Sequence, residues 1–269
     1  MLSVQNLSVS LGGTEIVNGV DLDVAAGKLV MLLGPNGAGK STVLKALSGE
    51  APCQGGIHVD GKALTDWRPE HLAGRRAVMP QRVDVNFPLT AEEVVRLGRP
   101  RGTPASDPVV MELLRALELE HLAHRLVPGL SGGEQQRVQL ARVLAQIIDC
   151  PHESLLLLDE CTSALDPAHQ QLVLELIRHL ARARGIAVLA IVHDLNLAAQ
   201  FGDRLMLMAS GRSVLHGRAE QVLTPANLRL VYGFHARVIQ LPEGYPMVIP
   251  TGQVAGQTAP SKPSCRQAS

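Results

Sequence analysis

The stretch "LLGPNGAGKST", Leu32 to Thr42, sets a glycine-rich loop directly between two apolar segments and ends it on a charge. Within it "GPNGAGKS", Gly34 to Ser41, has the spacing G-x-x-x-x-G-K-[ST]. Glycines at those places let successive backbone N–H groups turn inward and cradle phosphate oxygens, so Gly34, Pro35, Asn36, Gly37, Ala38, Gly39, Lys40, Ser41 and Thr42 are the candidate phosphate contacts. Lys40 is placed to reach the β and γ phosphates of a nucleotide, and the Ser41 hydroxyl to ligate magnesium. "KLVMLL" from Lys28 reads as a buried strand and "STVLKALSG" as a helix closed by Gly49, which puts a helix N-terminus under the phosphates.

Composition narrows the partners. The chain has 269 residues, of which 46% are hydrophobic, enough for one large α/β domain or two small ones. Lys plus Arg number 25 and Asp plus Glu number 25, so no excess positive charge draws it to nucleic acid. Three Phe, two Tyr and one Trp supply no platform for stacking bases, and no nucleic-acid partner is expected. No apolar window is long enough to span a bilayer, and "MLSVQNLSVS" lacks the basic-then-apolar order of a signal peptide. Cys53, Cys150, Cys161 and Cys265 show no CxxC spacing, which fits reduced thiols in the cytoplasm.

Two further apolar runs end on polar groups. "SLLLLDE", Ser154 to Glu160, reads as a strand buried on both faces with carboxylates at its carboxyl end, where open α/β sheets place ligands. Asp159 is suited to hold magnesium and Glu160 to accept a proton from an attacking water. "GIAVLAIVHD" from Gly185 delivers His193 and Asp194 to the same edge. In "LSGGEQQRVQLARVLAQ", Ser131 and Glu134 form an S-x-x-E capping box ahead of a helix with a broad apolar face. Gly132 and Gly133 leave that helix's first amides open, a second place able to bind phosphate oxygens.

This set resembles the ATP-binding cassette family, in which "LSGGQ" is the signature motif, from about Leu2 to Gly233. The resemblance implies an α/β P-loop NTPase fold: a RecA-like core, an N-terminal antiparallel β-subdomain and an inserted α-helical subdomain. It implies ATP and Mg2+ as cofactors and a homodimer of head-to-tail cassettes, each ATP being completed by the signature of the other copy. On that basis Glu160 is the general base, His193 the switch histidine, and Gln81 of "VMPQR" the glutamine that contacts magnesium and links the site to a partner. Lys40 is the phosphate-loop lysine, and Ser41, Gln81 and Asp159 are the metal set. Ser131, Gly132, Gly133 and Glu134, with Asp166 of "SALDP", face the opposite ATP. The chain departs from the pattern at Cys161, where the family usually has proline, and at Glu134, where it has glutamine. The aromatic expected in the N-terminal hairpin is missing, and "LSVSLGGTEIV" offers only Leu11 near that place.

The organisation expected is one ATP-binding domain over 1–241, with a helical subdomain at about 86–150 and a disordered tail over 251–269. A Gly12-Gly13 turn, a T-x-x-E box at Thr90 and Glu93, a hairpin turning at Ser210-Gly211 and a helix opened by Thr224-Pro225 punctuate it. No long heptad run and no second cassette is present, so the chain looks like the energy subunit of a bacterial importer. Its pieces are similar to haemin importer ATP-binding proteins, within a group that also serves ferric siderophores and vitamin B12; a soluble non-transport ATPase is the reading from another class. The resemblance implies two transmembrane permease subunits, indirectly a periplasmic or surface substrate-binding protein, and a peripheral place on the cytoplasmic face of the inner membrane. The docking surface is expected around Gln81 and "VDVNFPLTAEEVVRLGRPRG".

Overall fold

The computed structural model describes residues 1–81, 88–104, 107–150 and 153–253. In chain order the strands and helices are β1 (Leu2–Leu11), β2 (Thr14–Val24), β3 (Leu29–Leu33), α1 (Lys40–Leu47), β4 (Gln54–Val59), β5 (Lys62–Ala63), α2 (Pro69–Ala73) and β6 (Arg76–Met79). There follow α3 (Ala91–Arg96), α4 (Pro108–Ala116), α5 (Gly132–Ile147), β7 (Leu155–Asp159), α6 (Pro167–Arg184), β8 (Ala187–Ile191) and α7 (Leu195–Phe201). The last are β9 (Arg204–Ala209), β10 (Arg212–Gly217), α8 (Ala219–Val222), α9 (Pro225–Tyr232), β11 (Phe234–Gln240) and β12 (Pro246–Gln253).

Continuous apolar runs make the central layer. A six-stranded sheet runs in the order β10-β9-β3-β8-β7-β6, and every neighbouring pair from β9 to β6 is parallel. Every residue of β3, β7 and β8 is buried, as expected of parallel strands covered on both faces. The alternation of side chains divides each strand between two cores. Val30, Leu32, Leu155, Leu157, Leu189 and Ile191 pack with α1 and with a four-stranded antiparallel sheet, β2-β1-β4-β5. Met31, Leu33, Leu156, Leu158 and Val188 face the core built from α3 to α7. Truncating one of these leucines, Leu157→Ala for example, removes about 2–5 kcal/mol by the usual cost of a buried cavity.

Helices α3, α4 and α5 lie between β6 and β7 in sequence and pack on one another. Both expected capping boxes form: Thr90 N–H donates to Glu93 Oε2 at 2.8 Å, and Ser131 N–H donates to Glu134 Oε2 at 2.7 Å. Asn86, the first residue of the expected helical span, and Val83 to Phe87 of the expected docking stretch lie outside the described residues.

The end of the chain corrects one expectation. Thr251, Gly252 and Gln253, where the disordered tail is expected to start, are the last residues of β12, with Gly252 paired to His235 and Gln253 to Phe234. The expected domain boundary at 241 falls in the turn of this hairpin. Asn196 holds it from outside, its Oδ1 accepting from Val248 N–H at 2.7 Å and its Nδ2 donating to Val248 O at 3.3 Å. Residues 254–269, including Cys265, lie outside the described part.

The β9–β10 turn braces the glycine-rich loop. Ser210 and Gly211 both have positive φ, +48° and +76°, the pairing that matches a two-residue hairpin to the strand twist. Gly211 N–H donates to Ala38 O at 3.2 Å, and Gly211 O accepts from Asn18 N–H at 2.9 Å. A Cβ on Gly211 would stand 2.3 Å from Ile16 O. Gly211→Ala therefore combines a strained φ with a backbone clash and is expected to lower the melting temperature by at least about 2–4 °C, the equivalent of roughly 1 kcal/mol in a chain of this size. A thermal melt indistinguishable from that of the parent chain would contradict this packing.

Candidate functional site

Parallel pairing brings three strand ends to one edge. Asp159 at the end of β7 is paired with Ile191 at the end of β8, and β8 pairs with β3, which leads into Gly34. The loop from Gly34 to Gly39 takes conformations that side chains resist: φ is +150° at Gly34, +80° at Gly37 and +94° at Gly39. A Cβ on Gly34 would lie 2.2 Å from Met208 O, so only glycine lets the loop pass β9. Lys40 opens α1 and is 6% exposed, with Nζ donating to Gly34 O at 2.8 Å and Pro35 O at 3.0 Å. No acidic residue occupies the first turn of α1, which leaves its positive end uncompensated and suited to an anion.

The carboxylates face this lysine. Burial draws the Lys40 ammonium below its ordinary pKa, against the raising pull of Glu160 and Asp159. Asp159 is 4% exposed and its pKa is raised, chiefly by burial, with Glu160 adding to it and the Ser41 hydroxyl and Lys40 opposing. Its Oδ1 is buried without a hydrogen-bond partner. A hydroxyl beside a desolvated carboxylate with a free oxygen is a hard donor pair of the kind magnesium takes, and Ser41 and Asp159 fit that ion.

Glu160 is set by its backbone. It has φ +57°, a left-handed conformation that costs a non-glycine residue about 1–3 kcal/mol and that must be held by its surroundings. Glu160 N–H donates to Ile191 O at 3.1 Å, which pins the residue to the end of β8. The carboxylate then meets the ring two residues past that strand, with Glu160 Oε1 and His193 Nε2 2.5 Å apart. Burial raises the Glu160 pKa, but hydrogen bonds from His193 and Gln81 and the charges of His193 and Lys40 outweigh it and hold the carboxyl below its usual range. Lys40, Ser41, Gln81, Asp159, Glu160 and His193 thus form one group.

Ser131, Gly132, Gly133, Glu134 and Asp166 form a second group, at the starts of α5 and α6. Ser131 Oγ accepts from Glu134 N–H at 3.3 Å, and Asp166 caps α6 through His169 N–H at 3.0 Å. The Ser131 N–H on the Glu134 carboxylate and the His169 N–H on the Asp166 carboxylate hold both groups below the usual carboxylate range. A Cβ on Gly132 would meet open space, whereas one on Gly133 would come 3.0 Å from Ala164 O, so α5 starts hard against the loop that carries Asp166. Leu11 stands at the end of β1 with 47% of its surface exposed.

Two residues that no motif marks reach the phosphate loop and the acids. Tyr232, at the end of α9, lies against the Gly34 backbone, and burial pushes its phenol up to about 12. Gln136 of α5 donates to the Glu160 carbonyl. Neither is legible as a site residue, because each reaches its partner only through tertiary packing.

Known proteins resemble this chain in sequence and fold. A family model described as ABC transporter matches residues 17–163. The chain is 46% identical over 254 residues to the hemin import ATP-binding protein of Pseudomonas aeruginosa, covering 93% of this chain and 99% of that one. It is 44% identical over 264 residues to the protein of the same name from Gloeobacter violaceus, covering 95% and 96%. Among solved structures it is similar to an inward-facing metal-chelate type ABC transporter, with TM-score 0.75, 29% identity and coverage of 93% of this chain and 97% of that one. It is also similar to an ATP-binding cassette caught as a dimer after hydrolysis with ADP and Pi, with TM-score 0.70, 27% identity and coverage of 81% and 98%. A phosphate loop, acid-tipped strand and signature helix on this fold, with relatives of such identity along almost the whole chain, mean that this protein belongs to the ABC transporter family as an ATP-binding cassette.

Proposed function

We propose that this chain is the ATP-hydrolysing subunit of a bacterial haemin importer. The reading is supported above all by 46% identity running through 99% of a hemin import ATP-binding protein. Two copies pair head to tail, the phosphate loop of one facing Ser131, Gly132, Gly133, Glu134 and Asp166 of the other. The pair lies on the cytoplasmic face of the cell membrane and drives two transmembrane permease subunits, to which a substrate-binding protein delivers haemin. No helix among the described residues is long and apolar enough to cross a membrane, so passage of the substrate falls to those partners.

In this reading the phosphate-loop amides and Lys40 hold the ATP phosphates, the lysine exchanging its carbonyl partners for phosphate oxygens. Ser41, Asp159 and Gln81 would hold Mg2+, which would supply positive charge to offset that of the phosphates. Glu160 orients the attacking water and receives its proton. Its lowered pKa keeps it ionised throughout the physiological range and makes it a weak base, which suits a loose transition state in which positioning matters more than early proton removal. His193, half-exposed beside it, faces the transferred phosphoryl group, and the opposing signature amides stabilise its charge. Loss of the γ phosphate removes contacts that bridge the copies, and the dimer opens.

Glu160→Gln is expected to bind ATP and trap the dimer while turnover falls about 100-fold or more, the range for a lost general base. Near-normal turnover in that variant would move the base elsewhere. Because Glu160 of the nucleotide-free chain titrates below its ordinary value, the acid limb of kcat/KM is expected below the usual carboxylate range. His193→Ala removes the hydrogen bond that contributes most to that lowering and is expected to move the limb to higher pH; an unmoved limb in the pH–rate profile would contradict the coupling. In the source organism, Lys40→Ala in the native gene is expected to abolish growth on haemin as sole iron source while ferric salt and siderophore still support it. Loss on a siderophore instead, or of vitamin B12 uptake, would discard haemin, and no defect on any substrate would favour a soluble ATPase.

A further inference from the structure

The loop from Glu160 to Ala164 is gripped at both ends by one side chain that none of the motif assignments uses. Gln136 sits on α5, one turn after the Ser131–Glu134 capping box. Its Nε2 donates to Glu160 O at 2.8 Å and approaches Ser163 Oγ at 3.4 Å, while its Oε1 accepts from Ala164 N–H at 3.1 Å. The Glu160 carbonyl also accepts from Ser163 N–H at 3.2 Å and from Ser163 Oγ at 3.1 Å, both within the loop itself. Gln136 thus adds a bond from another element, and it closes the loop by binding its far end with the same amide.

That grip acts where the backbone most needs holding. Glu160 is left-handed at φ +57°, and the torsion of this residue decides where its carboxylate goes. On one side its N–H is fixed to Ile191 O; on the other its carbonyl is fixed by Gln136. Rotation of the peptide that follows Glu160 would break the Gln136 bond together with the two from Ser163, and of the three only the Gln136 bond comes from outside the loop. The same helix that grips the loop begins with the signature residues, so a displacement of α5 pulls on the backbone of Glu160 through a single carboxamide.

We infer that Gln136 is a positioning residue for ATP hydrolysis, holding the Glu160 backbone in the conformation that aims its carboxylate at His193 and tying that aim to the signature helix of the same copy. The inference rests on Glu160 being the base. It makes the helix that receives the opposite nucleotide and the base for the copy's own nucleotide mechanically dependent on each other.

The test is steady-state ATPase kinetics of the full chain carrying Gln136→Met or Gln136→Glu, with melting temperature and nucleotide binding measured alongside. Methionine keeps the length and loses every bond; glutamate keeps an acceptor for Ala164 N–H but sets an oxygen against the Glu160 carbonyl. Both are expected to lower kcat about ten- to hundredfold, the usual effect of a catalytic group displaced by about an ångström, while KM for ATP stays within about twofold. In a Glu160→Gln background, Gln136→Met is expected to lower the residual rate no further, because the group it positions is gone. Unchanged kcat in a folded variant, a KM that rises as kcat falls, or an equal further loss in the Glu160→Gln background would overturn the inference. Should Gln136→Met fail to fold, the glutamate variant carries the same comparison. If Glu160→Gln by itself hydrolyses ATP at the normal rate, the base assignment fails, which is distinct from failure of Gln136 to position it.

Discussion

The register of β7 against β8 is the constraint on which the site depends. With Asp159 opposite Ile191, the residue after it can donate its N–H to the Ile191 carbonyl, and Glu160 comes to face the histidine that follows β8. A slip of one residue in either strand would turn every side chain to the other face and carry the leucines into the wrong core. The two cores above and below the sheet therefore fix the geometry of this edge as well as the stability. The glycine-rich loop is aligned by the same means, since β3 pairs with β8 on one side and β9 on the other.

Electrostatics divides the two acids at the end of β7. Asp159 is buried and raised, with an oxygen lacking a partner; Glu160 is turned out by its left-handed backbone, hydrogen-bonded and lowered. Neighbouring carboxylates with opposite shifts suit different tasks, one to bind a cation and the other to stay ionised beside water. Lys40 sees both, and burial weakens its hold on its own proton. A polyphosphate brought against Lys40, the α1 N-terminus and a hard cation would supply the charge balance that this cluster is built around.

Much of this was legible from local signals. The Gly34–Ser41 spacing, the leucine run into Asp159 and Glu160, and the two capping boxes each encode their structure within a few residues, through backbone freedom, two-faced burial and reciprocal hydrogen bonds. The Ser210-Gly211 turn is read the same way. What escaped depends on distant partners. Thr251 favours a strand but stands between Pro250 and Gly252, which disfavour one, and the segment extends β12 because β11 offers a ladder and Asn196 clamps Val248. Gln136 and Tyr232 look like ordinary helix residues until α5 meets the loop after β7 and α9 meets Gly34. β1 and β2 contain no aromatic residue, and Leu11 is their one exposed large hydrophobic side chain.

ATP-driven haemin transport is measured by reconstituting the full chain with the proposed permease and substrate-binding protein in liposomes and following haemin transfer with time. The expected result is transfer that requires ATP and Mg2+, stops with a non-hydrolysable analogue and does not extend to a ferric siderophore or vitamin B12. Transfer of haemin at the same rate without hydrolysis, or ATP-driven transfer of another substrate with haemin excluded, would contradict it.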